Sequence, residues 1–492
     1  MKPSLITATC LAILGCQSVP RTAPGTPSGG VRAWLTSGDR THLLEAQPLI
    51  EWLPRSDGLA DVPVIAIDPS RSFQEIVGFG AAMTDASAHL LHALPADARE
   101  RVMRDLFGRG EAIGAGKVGV AAADSGIALG FMRVPMGASD FSLRHYSYDD
   151  MPRGATDSAL RQFSIAPDRA EKLPMIKHAL AINPAIKIMA SPWSPPGWMK
   201  TTDSLVMGTL QPLFYDSFAE YFVKFIRAYE GEGIPIYAIS LQNEPNFEPD
   251  TYPGMRLTPA VRARLIGHHV GPRFARAGIR TLIWEWDHNW DLPEQPLDVL
   301  ADTAARRFIQ GVAWHCYGGD VSAQSTVHNR YPDKDTWFSE CSGGEWAPKF
   351  EDNLLWFVNT LIISGTRNWA RGVLLWNLAL DEKHGPHLGG CGDCRGVVTI
   401  DIAKRAYTRN EEYYALAHAS KFVVPGARRI YSAGGDSTLT HVAFQNPAEA
   451  SLVVIVLNSA ATARKFAVTA RGREFSYELP RASVATFVLP GR

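Results

Sequence analysis

The run Ile236-Tyr237-Ala238-Ile239-Ser240-Leu241-Gln242-Asn243-Glu244-Pro245 is almost continuously apolar until it ends in an amide and an acid. Continuous apolarity is typical of strands that are buried on both faces, as they are in parallel sheets. The run Thr336-Trp337-Phe338-Ser339-Glu340-Cys341 has the same form. In a barrel of parallel strands the reactive groups gather at the C-terminal strand ends. The two runs therefore predict that Glu244 and Glu340 face one site.

Similar β-rich runs alternate with helical stretches from about residue 76 to residue 415. This alternation predicts βα units around a parallel sheet, and hence the α/β class. The candidate strands are residues 76–80, 130–134, 186–191, 236–241, 280–284, 311–315, 336–339 and 373–376.

Two acids at the ends of such strands favour glycoside hydrolysis with retention. One acid must protonate the leaving oxygen while the other attacks the anomeric carbon, which requires the carboxyl groups to lie roughly 5 Å apart. Aromatic and amide residues recur at the other strand ends, for example Trp193, Trp314 and Trp376. Flat aromatic faces suit the apolar side of a pyranose, and fixed polar groups bind its hydroxyls.

Length and charge exclude other classes of protein. The chain has 492 residues, of which 46% are hydrophobic, so it can bury a large barrel core and a small second domain. Its 49 basic and 50 acidic residues leave a net charge of -1, and no basic tract offers a footprint for nucleic acid. Nucleic acid is therefore not expected as a partner.

The N-terminus has the form of an export signal. Lys2 precedes an apolar stretch, residues 5–14, which is too short to span a bilayer. It ends in Ile13-Leu14-Gly15-Cys16, which resembles a bacterial lipobox. We predict a lipoprotein signal peptide over residues 1–16, lipidation of Cys16, and a flexible tether over residues 17–30. The expected location is the cell envelope or the secreted fraction; an ordinary cleaved signal is the alternative.

The pattern changes near both ends of the barrel segment. After about residue 418 strand-like runs alternate without a convincing helix, which indicates a β-sandwich. Residues 31–75 also contain β-like runs. We therefore predict a catalytic barrel over residues 76–417 and a sandwich over residues 418–492 that residues 31–75 complete.

The cysteine pair in Cys391-Gly392-Asp393-Cys394 has three interpretations. Its glycine-rich setting favours a loop disulfide if the chain is exported. Free thiols are the second interpretation. Together with His384 and His387 the pair also has the residue types of a zinc site. Cys316 and Cys341 each follow a candidate site residue, and a structural role is expected for both.

Several ordered motifs resemble glycoside hydrolase family 30, within which the glucosylceramidase branch and its bacterial relatives are the most similar. The resemblance covers the chain from roughly residue 60 to the C-terminus. The motifs are Gly78-Phe79-Gly80-Ala81-Ala82-Met83-Thr84-Asp85-Ala86, residues 133–141, residues 191–198, Asn243-Glu244-Pro245, Ser339-Glu340 and residues 376–380.

The resemblance implies a (β/α)8 TIM barrel with a side β-sandwich that acts on β-glycosides without a cofactor or metal. It implies that Glu244 is the acid/base, with a raised pKa, and that Glu340 is the ionised nucleophile. Arg133 and His315 would support these two. The implied substrate-binding residues are Asp140, Phe141, Trp198, Asn243, Tyr317, Trp376 and Asn377.

One departure bears on the substrate. The glycine-rich cysteine loop at residues 381–395 looks more like bacterial members and fungal β-1,6-glucanase relatives than like the animal enzymes. The predicted function is a lipid-anchored β-glucosidase of glucosylceramidase type acting on a glycolipid or β-glucan. The alternatives are an endo-β-1,6-glucanase or another β-glycosidase on this scaffold, a non-catalytic carbohydrate-binding lipoprotein, and a zinc hydrolase. The oligomeric state stays open.

Overall fold

The computed structural model describes residues 29–55, 62–110, 126–448 and 450–491. The predicted signal peptide, Cys16 and all but the last two residues of the tether lie outside these ranges.

The strands follow one another along most of the chain, and the helices fall largely between residues 85 and 420. The strands are β1 (Arg32–Ser37), β2 (Glu45–Ala46), β3 (Leu53–Pro54), β4 (Val64–Glu75), β5 (Gly78–Ala82), β6 (Phe131–Pro135), β7 (Lys187–Ser191), β8 (Ala238–Ser240), β9 (Leu282–Asn289), β10 (Ile309–His315), β11 (Asp335–Glu340), β12 (Gly343–Gly344), β13 (Ala370–Asn377), β14 (Ala379–Asp381), β15 (Cys394–Arg395), β16 (Val398–Asp401), β17 (Ala406–Arg409), β18 (Arg428–Ala433), β19 (Leu439–Gln445), β20 (Leu452–Asn458), β21 (Arg464–Ala470), β22 (Arg473–Leu479) and β23 (Ser483–Leu489).

The α-helices are α1 (Asp85–Ala93), α2 (Ala96–Phe107), α3 (Lys172–Ile182), α4 (Tyr215–Gly231), α5 (Pro259–Arg264), α6 (Gly271–Ala277), α7 (Glu294–Ala301), α8 (Thr303–Arg306), α9 (Ala323–Arg330), α10 (Phe350–Trp356), α11 (Gly365–Arg367) and α12 (Glu411–Ser420). Short 3₁₀ turns lie at Ala166–Asp168, Gly197–Met199 and Pro212–Phe214, and π-helical segments lie at Leu265–Val270 and Phe357–Ser364.

Eight parallel strands close into a barrel in the order β5-β6-β7-β8-β9-β10-β11-β13. These are the strands that the apolar runs predicted, so the barrel is confirmed. Its N-terminal end is filled by aromatic side chains: Trp284 stacks on Trp337 with ring centroids 4.3 Å apart, and Phe131 meets both rings. Because this end is packed solid, a binding site must lie at the opposite end, where the strands terminate.

The predicted β-sandwich is also present. Ten strands pair in the order β2-β1-β23-β20-β19-β18-β4-β21-β22-β3. The N-terminal strands pair with the C-terminal ones: β1 lies antiparallel to β23, and β4 lies between β18 and β21. Phe487 of β23 contacts Phe466 and Phe475, which lie on strands several places away in the sheet. The sheet therefore folds over one apolar core.

The helix α12 joins the two domains. The predicted boundary at residue 417 falls inside it. Its buried His418 is bonded through Nδ1 to Thr486 and through Nε2 to Thr36, both in sandwich strands. Burial lowers the pKa of His418 to about 3, so the imidazole is neutral at the interface. Among the residues that the structure describes, no helix has the length and apolarity required to cross a membrane.

Candidate active site

A cavity of about 490 Å³ lies at the C-terminal ends of the barrel strands. Both glutamates predicted from the sequence face it. The lining residues are Asp140, Trp193, Asn243, Glu244, Phe247, Pro249, Asp250, Thr251, Tyr252, Tyr317, Glu340, Trp346, Trp376, Gly390, Cys391 and Cys394.

Register shifts near the ends of three strands shape the floor of this cavity. In the pairing of β9 with β10, Trp286 is opposite Ala313 and His288 is opposite Trp314. Asp287 is therefore the extra residue of a β-bulge. Ser339 in β11 and Trp376 in β13 are skipped in the same way. A bulge bends its strand and re-aims a side chain, and bulges are common beside active sites. The bulge at Asp287 has left-handed backbone, with φ of 75° at Trp286 and 60° at Asp287.

Asp287 is the centre of the buried polar network. One carboxylate oxygen accepts from Arg133 at 2.8 Å, Ser191 at 2.8 Å and Ser240 at 2.6 Å. The other is bonded to His315 Nε2 at 3.0 Å and accepts from Ser339 at 2.6 Å. Burial alone would raise the pKa of Asp287, but the charge of Arg133 and these bonds lower it strongly. The group is therefore a fixed anion under the site.

The sequence argument missed Asp287. The predicted strand ended at Trp284, whereas β9 continues to Asn289. The signal that could have revealed it is the run Trp284-Glu285-Trp286-Asp287, which places two acids inside an otherwise apolar strand. Glu285 takes the other side of the strand, where it is paired with Arg262 at 2.5 Å.

Arg133 connects the anion to the candidate nucleophile. It is fully buried on β6 and donates to Glu340, to Asn243 Oδ1 at 2.8 Å and to Asp287. Tyr317 donates its hydroxyl to the other oxygen of Glu340 at 2.9 Å. Charge-assisted bonds of this kind fix a carboxylate in one orientation. Glu340 is thus held where Arg133 can compensate its negative charge.

The two glutamates meet at one histidine. His315 Nδ1 lies 3.1 Å from Glu244 Oε1 and 3.8 Å from Glu340 Oε1. The two oxygens are therefore separated by no more than the sum of these distances. Retaining glycosidases hold their carboxyl groups about 5–5.5 Å apart, and inverting enzymes about 6.5–9.5 Å. This upper limit, 6.9 Å, admits the retaining separation and excludes all but the shortest inverting separations.

His315 also sets the protonation of the pair. Burial lowers the pKa of His315, but Glu340, Asp287 and Glu244 outweigh that effect and raise it to about 9. Burial raises the pKa of Glu244, but the bond and charge of His315, together with the charges of His288 and Arg133, outweigh burial and lower it. This direction is opposite to the raised pKa that was expected for Glu244. Burial raises the pKa of Glu340, and His315 and Arg133 oppose that rise.

One wall of the cavity is built by Asp140, Trp193 and Trp376. Trp193 and Trp376 are stacked with ring centroids 5.0 Å apart, and the Arg133 guanidinium lies 4.9 Å from the Trp193 ring. Burial, followed by the charge of Glu340, raises the pKa of Asp140 well above its usual range. Asn243 uses Oδ1 to accept from Arg133, which leaves its amide nitrogen to donate to a substrate hydroxyl.

The structure corrects the assignment of Trp198. Its side chain is 4% exposed, packs edge-on against Phe214, and donates its indole N–H to the Asp149 carbonyl at 2.9 Å. It supports the loop that carries the site and does not line the cavity. Trp193, five residues earlier in the same motif, takes the position at the cavity.

Two other predicted substrate-binding residues lie behind the wall. Phe141 is buried and meets Trp376 edge-on at 6.2 Å. Asn377 accepts from the Thr84 hydroxyl at 2.8 Å inside the barrel end. Both residues therefore position the lining instead of touching a ligand in the cavity.

The cysteines form two disulfides beside the site. Cys391 is bonded to Cys394, as the loop interpretation predicted, and Cys316 is bonded to Cys341. The zinc interpretation is therefore wrong, because neither thiolate is available. His384 and His387 instead bond to backbone carbonyls of their own loop, at Cys394 and Gly389.

The loop with Cys391 and Cys394 closes one end of the cavity. The Leu388 amide donates to the Asp140 carbonyl at 2.8 Å. A Cβ atom on Gly390 would lie 2.7 Å from the Asp140 side chain, so only glycine permits this approach. The rim on the other side carries Phe247, which is 47% exposed, and Trp346, which is 55% exposed. The sequence argument had singled out neither rim residue.

Comparison with known proteins agrees with this geometry. The glycosyl hydrolase family 30 TIM-barrel domain matches residues 76–423, and the family 30 β-sandwich domain matches residues 426–487. The chain belongs to glycosyl hydrolase family 30. It is a glycoside hydrolase of that family, and the family predicted from the motifs is confirmed.

Among family 30 proteins the chain is similar to an endo-1,6-β-D-glucanase of Neurospora crassa, with 34% identity over 86% of this chain and 87% of the relative. It is 30% identical to the lysosomal acid glucosylceramidase of Mus musculus, over 80% of this chain and 77% of the relative. A solved endo-β1,6-glucanase superposes with a TM-score of 0.84 at 29% identity, over 94% of this chain and 100% of that one.

Proposed function

We propose that this family 30 enzyme is a retaining β-glucanase that cleaves β-1,6-linked glucan. The observation that carries the proposal is the likeness to endo-1,6-β-glucanases, which extends over more of the chain, at higher identity, than the likeness to the mouse glucosylceramidase. This substrate was the alternative in the sequence argument. The cysteine loop at residues 381–395 had looked more like bacterial members and fungal β-1,6-glucanase relatives than like the animal enzymes.

The proposed reaction is a double displacement. Glu340 attacks the anomeric carbon while Glu244 protonates the leaving oxygen, and the glucosyl unit becomes esterified to Glu340. Glu244 then removes a proton from water, which releases the sugar with its original configuration. Arg133 and Tyr317 orient the nucleophile, and the Asn243 amide donates to a sugar hydroxyl. These groups suffice without a cofactor.

The protonation of His315 suggests where the first proton comes from. Glu244 shares a hydrogen bond with His315, whose second nitrogen is bonded to Asp287. Because the pKa of His315 is raised and that of Glu244 is lowered, the proton rests on His315 and would pass through Glu244 only as the leaving oxygen takes it up. The His315 pKa of about 9 keeps the imidazole charged at neutral pH.

The opening of the cavity suits further glucose units. Phe247 and Trp346 present half-exposed rings beside the cavity that holds the two glutamates. Aromatic faces of this kind bind the apolar faces of sugars. A glucan chain can continue across this rim, which an enzyme acting on single glucosides would not need.

Product analysis tests the proposal. The protein is incubated with β-1,6-glucan and, separately, with glucosylceramide, with Glu340→Gln as the blank. Gluco-oligosaccharides from the glucan are expected. Release of glucose and ceramide with no reaction on the glucan would overturn the proposal in favour of a glucosylceramidase. Glucose as the only product from the glucan would oppose endo cleavage.

We also propose that the protein is an exported lipoprotein anchored through Cys16. The support is the lipobox-like Ile13-Leu14-Gly15-Cys16 and the short apolar stretch before it. Metabolic labelling with a fatty acid should mark the wild type and not Cys16→Ala. Equal labelling of both would oppose the anchor.

A further inference from the structure

Three side chains with metal-binding atoms converge at the acid/base glutamate. Glu244, His288 and His315 each offer one such atom, and these atoms all lie within 4.8 Å of one another. Glu244 Oε1 is 3.1 Å from His315 Nδ1 and 3.6 Å from His288 Nδ1. Two atoms bound to one zinc ion at about 2.0–2.2 Å can be at most about 4.4 Å apart. Both separations from Glu244 Oε1 are already shorter than this limit.

His288 supplies the second observation. The residue is buried, with 11% of its side chain exposed, and its Nδ1 has no hydrogen-bond partner among the residues that the structure describes. The 3.6 Å to Glu244 is too long for a hydrogen bond. A buried nitrogen without a partner is costly unless something else binds it. This one points towards the same oxygen as His315.

The support around His315 has the form found at metal centres. Its other nitrogen, Nε2, is bonded to the Asp287 carboxylate at 3.0 Å. Histidine ligands commonly donate their second N–H to a carboxylate, which fixes the ring and makes the free nitrogen more basic. Two histidines and one glutamate are also a known ligand set for zinc.

The local charges can accommodate a divalent ion. With His315 neutral, the network holds one positive group, Arg133, and three acids, Asp287, Glu340 and Glu244. The net charge of these four groups is −2, and a divalent cation would bring it to zero. Binding would transfer the Nδ1 proton of His315 to solvent and leave the bonds of Asp287 in place.

We propose that Glu244, His288 and His315 form a binding site for a zinc-class divalent transition metal ion, and that the bound ion inhibits hydrolysis. The inhibition rests on the proposed role of Glu244, because the ion occupies the oxygen that must carry the proton. The binding itself does not depend on that role. The enzyme would then be active as the metal-free protein and reversibly silenced by the ion.

Metal binding is tested directly with untagged protein. Calorimetric titration with Zn²⁺ should show one saturable site, and Co²⁺ should give the absorption bands of a low-coordinate site. His288→Gln and Glu244→Gln should each weaken Zn²⁺ binding by about 10-fold or more. The matched control is His328→Gln, since His328 Nδ1 also lacks a partner among the described residues but lies outside the cluster. Equal affinity in wild type and His288→Gln would overturn the site.

Inhibition is tested separately, with each variant compared with its own metal-free rate on an aryl β-glucoside. Zn²⁺ should inhibit the wild type and His328→Gln at the concentration that saturates the site, and a chelator should restore the rate. His288→Gln should need about 10-fold more Zn²⁺. If Zn²⁺ saturates the site and the rate of hydrolysis does not fall, the proposed inhibition is wrong and only the binding site remains. If the protein binds Zn²⁺ but hydrolyses no glycoside, the metal site is supported and the proposed function is wrong.

Discussion

The floor and the rim of the active-site cavity are built on different principles. In the floor, Arg133, Asp287, His315 and Glu340 are buried, and each is tied to others by hydrogen bonds and ion pairs. On the rim, Phe247 and Trp346 are about half exposed, and one end is closed by a disulfide loop. Buried charges must be paired to be tolerated, whereas exposed rings can change at little cost. The floor therefore fixes the chemistry, and the rim is free to select the substrate.

The largest effect is expected when Glu340 of the floor and the neighbouring Glu244 are exchanged one at a time. Glu340→Gln should lose activity by about 10⁴-fold or more on every substrate, because Glu340 is the proposed nucleophile and an amide cannot form the covalent intermediate. Glu244→Gln should lose about 10²–10⁴-fold on β-1,6-glucan but far less on an aryl glucoside whose leaving group needs no proton. Rates on both substrates would be measured for both variants. Equal losses of Glu244→Gln on the two substrates would contradict its acid/base role.

An ion pair in the buried floor should contribute more to the free energy of unfolding than an ion pair near the surface does. Asp287→Asn removes one of the two acids that pair with the buried Arg133, the other being Glu340, and should cost about 3–5 kcal/mol of unfolding free energy. Asp335→Asn breaks a partly exposed pair with Arg371 and should cost about 0–1 kcal/mol. Denaturant unfolding of the two variants checks this. Similar losses in both would mean that Asp287 is not the central anion described above.

The disulfide loop offers a matched pair of glycines. Gly390→Ala introduces a Cβ 2.7 Å from Asp140 at a φ of +68°, so it should distort the sugar site and raise KM by about 10-fold, or roughly 1–2 kcal/mol. Gly392→Ala has only His387 at 4.0 Å and should behave like the wild type. Steady-state kinetics on an aryl glucoside decide the matter. An unchanged KM in Gly390→Ala would show that the loop does not shape the glucose site.

The smallest effect is expected at the rim. Trp346→Ala should reduce kcat/KM on β-1,6-glucan by about 3- to 10-fold, because about one contact between a sugar and a ring is lost. Hydrolysis of an aryl glucoside should be almost unchanged. Trp356→Ala removes a tryptophan that is 42% exposed and does not line the cavity, and it should change neither rate. A loss on both substrates in Trp346→Ala would assign that ring to the glucose site instead of the rim.

The sequence predicted the barrel because its strands are buried on both faces and read as apolar runs. It predicted the two glutamates because each stands where such a run ends. Trp198 and Trp193 could not be told apart, since both follow the same strand. The 3₁₀ turn at Gly197–Met199 and the bond to Asp149 turn Trp198 inward, and neither is visible in a local pattern.

Long-range contacts account for what the sequence left open. Cys316 and Cys341 are 25 residues apart and pair because β10 and β11 are neighbours in the barrel. Asp287 faces the site because a bulge in β9, set by its pairing with β10, turns the carboxylate inward. The lowered pKa of Glu244 depends on His315, which lies 71 residues away.

Periodicity and residue type by themselves thus determined the barrel strands, the sandwich and the pair of acids, because burial leaves a repeating mark on the sequence. Only the tertiary structure decided which tryptophan lines the cavity, which acid anchors Arg133, and how the cysteines pair. These features depend on distances between residues that are remote in the chain, and local patterns carry no record of such distances.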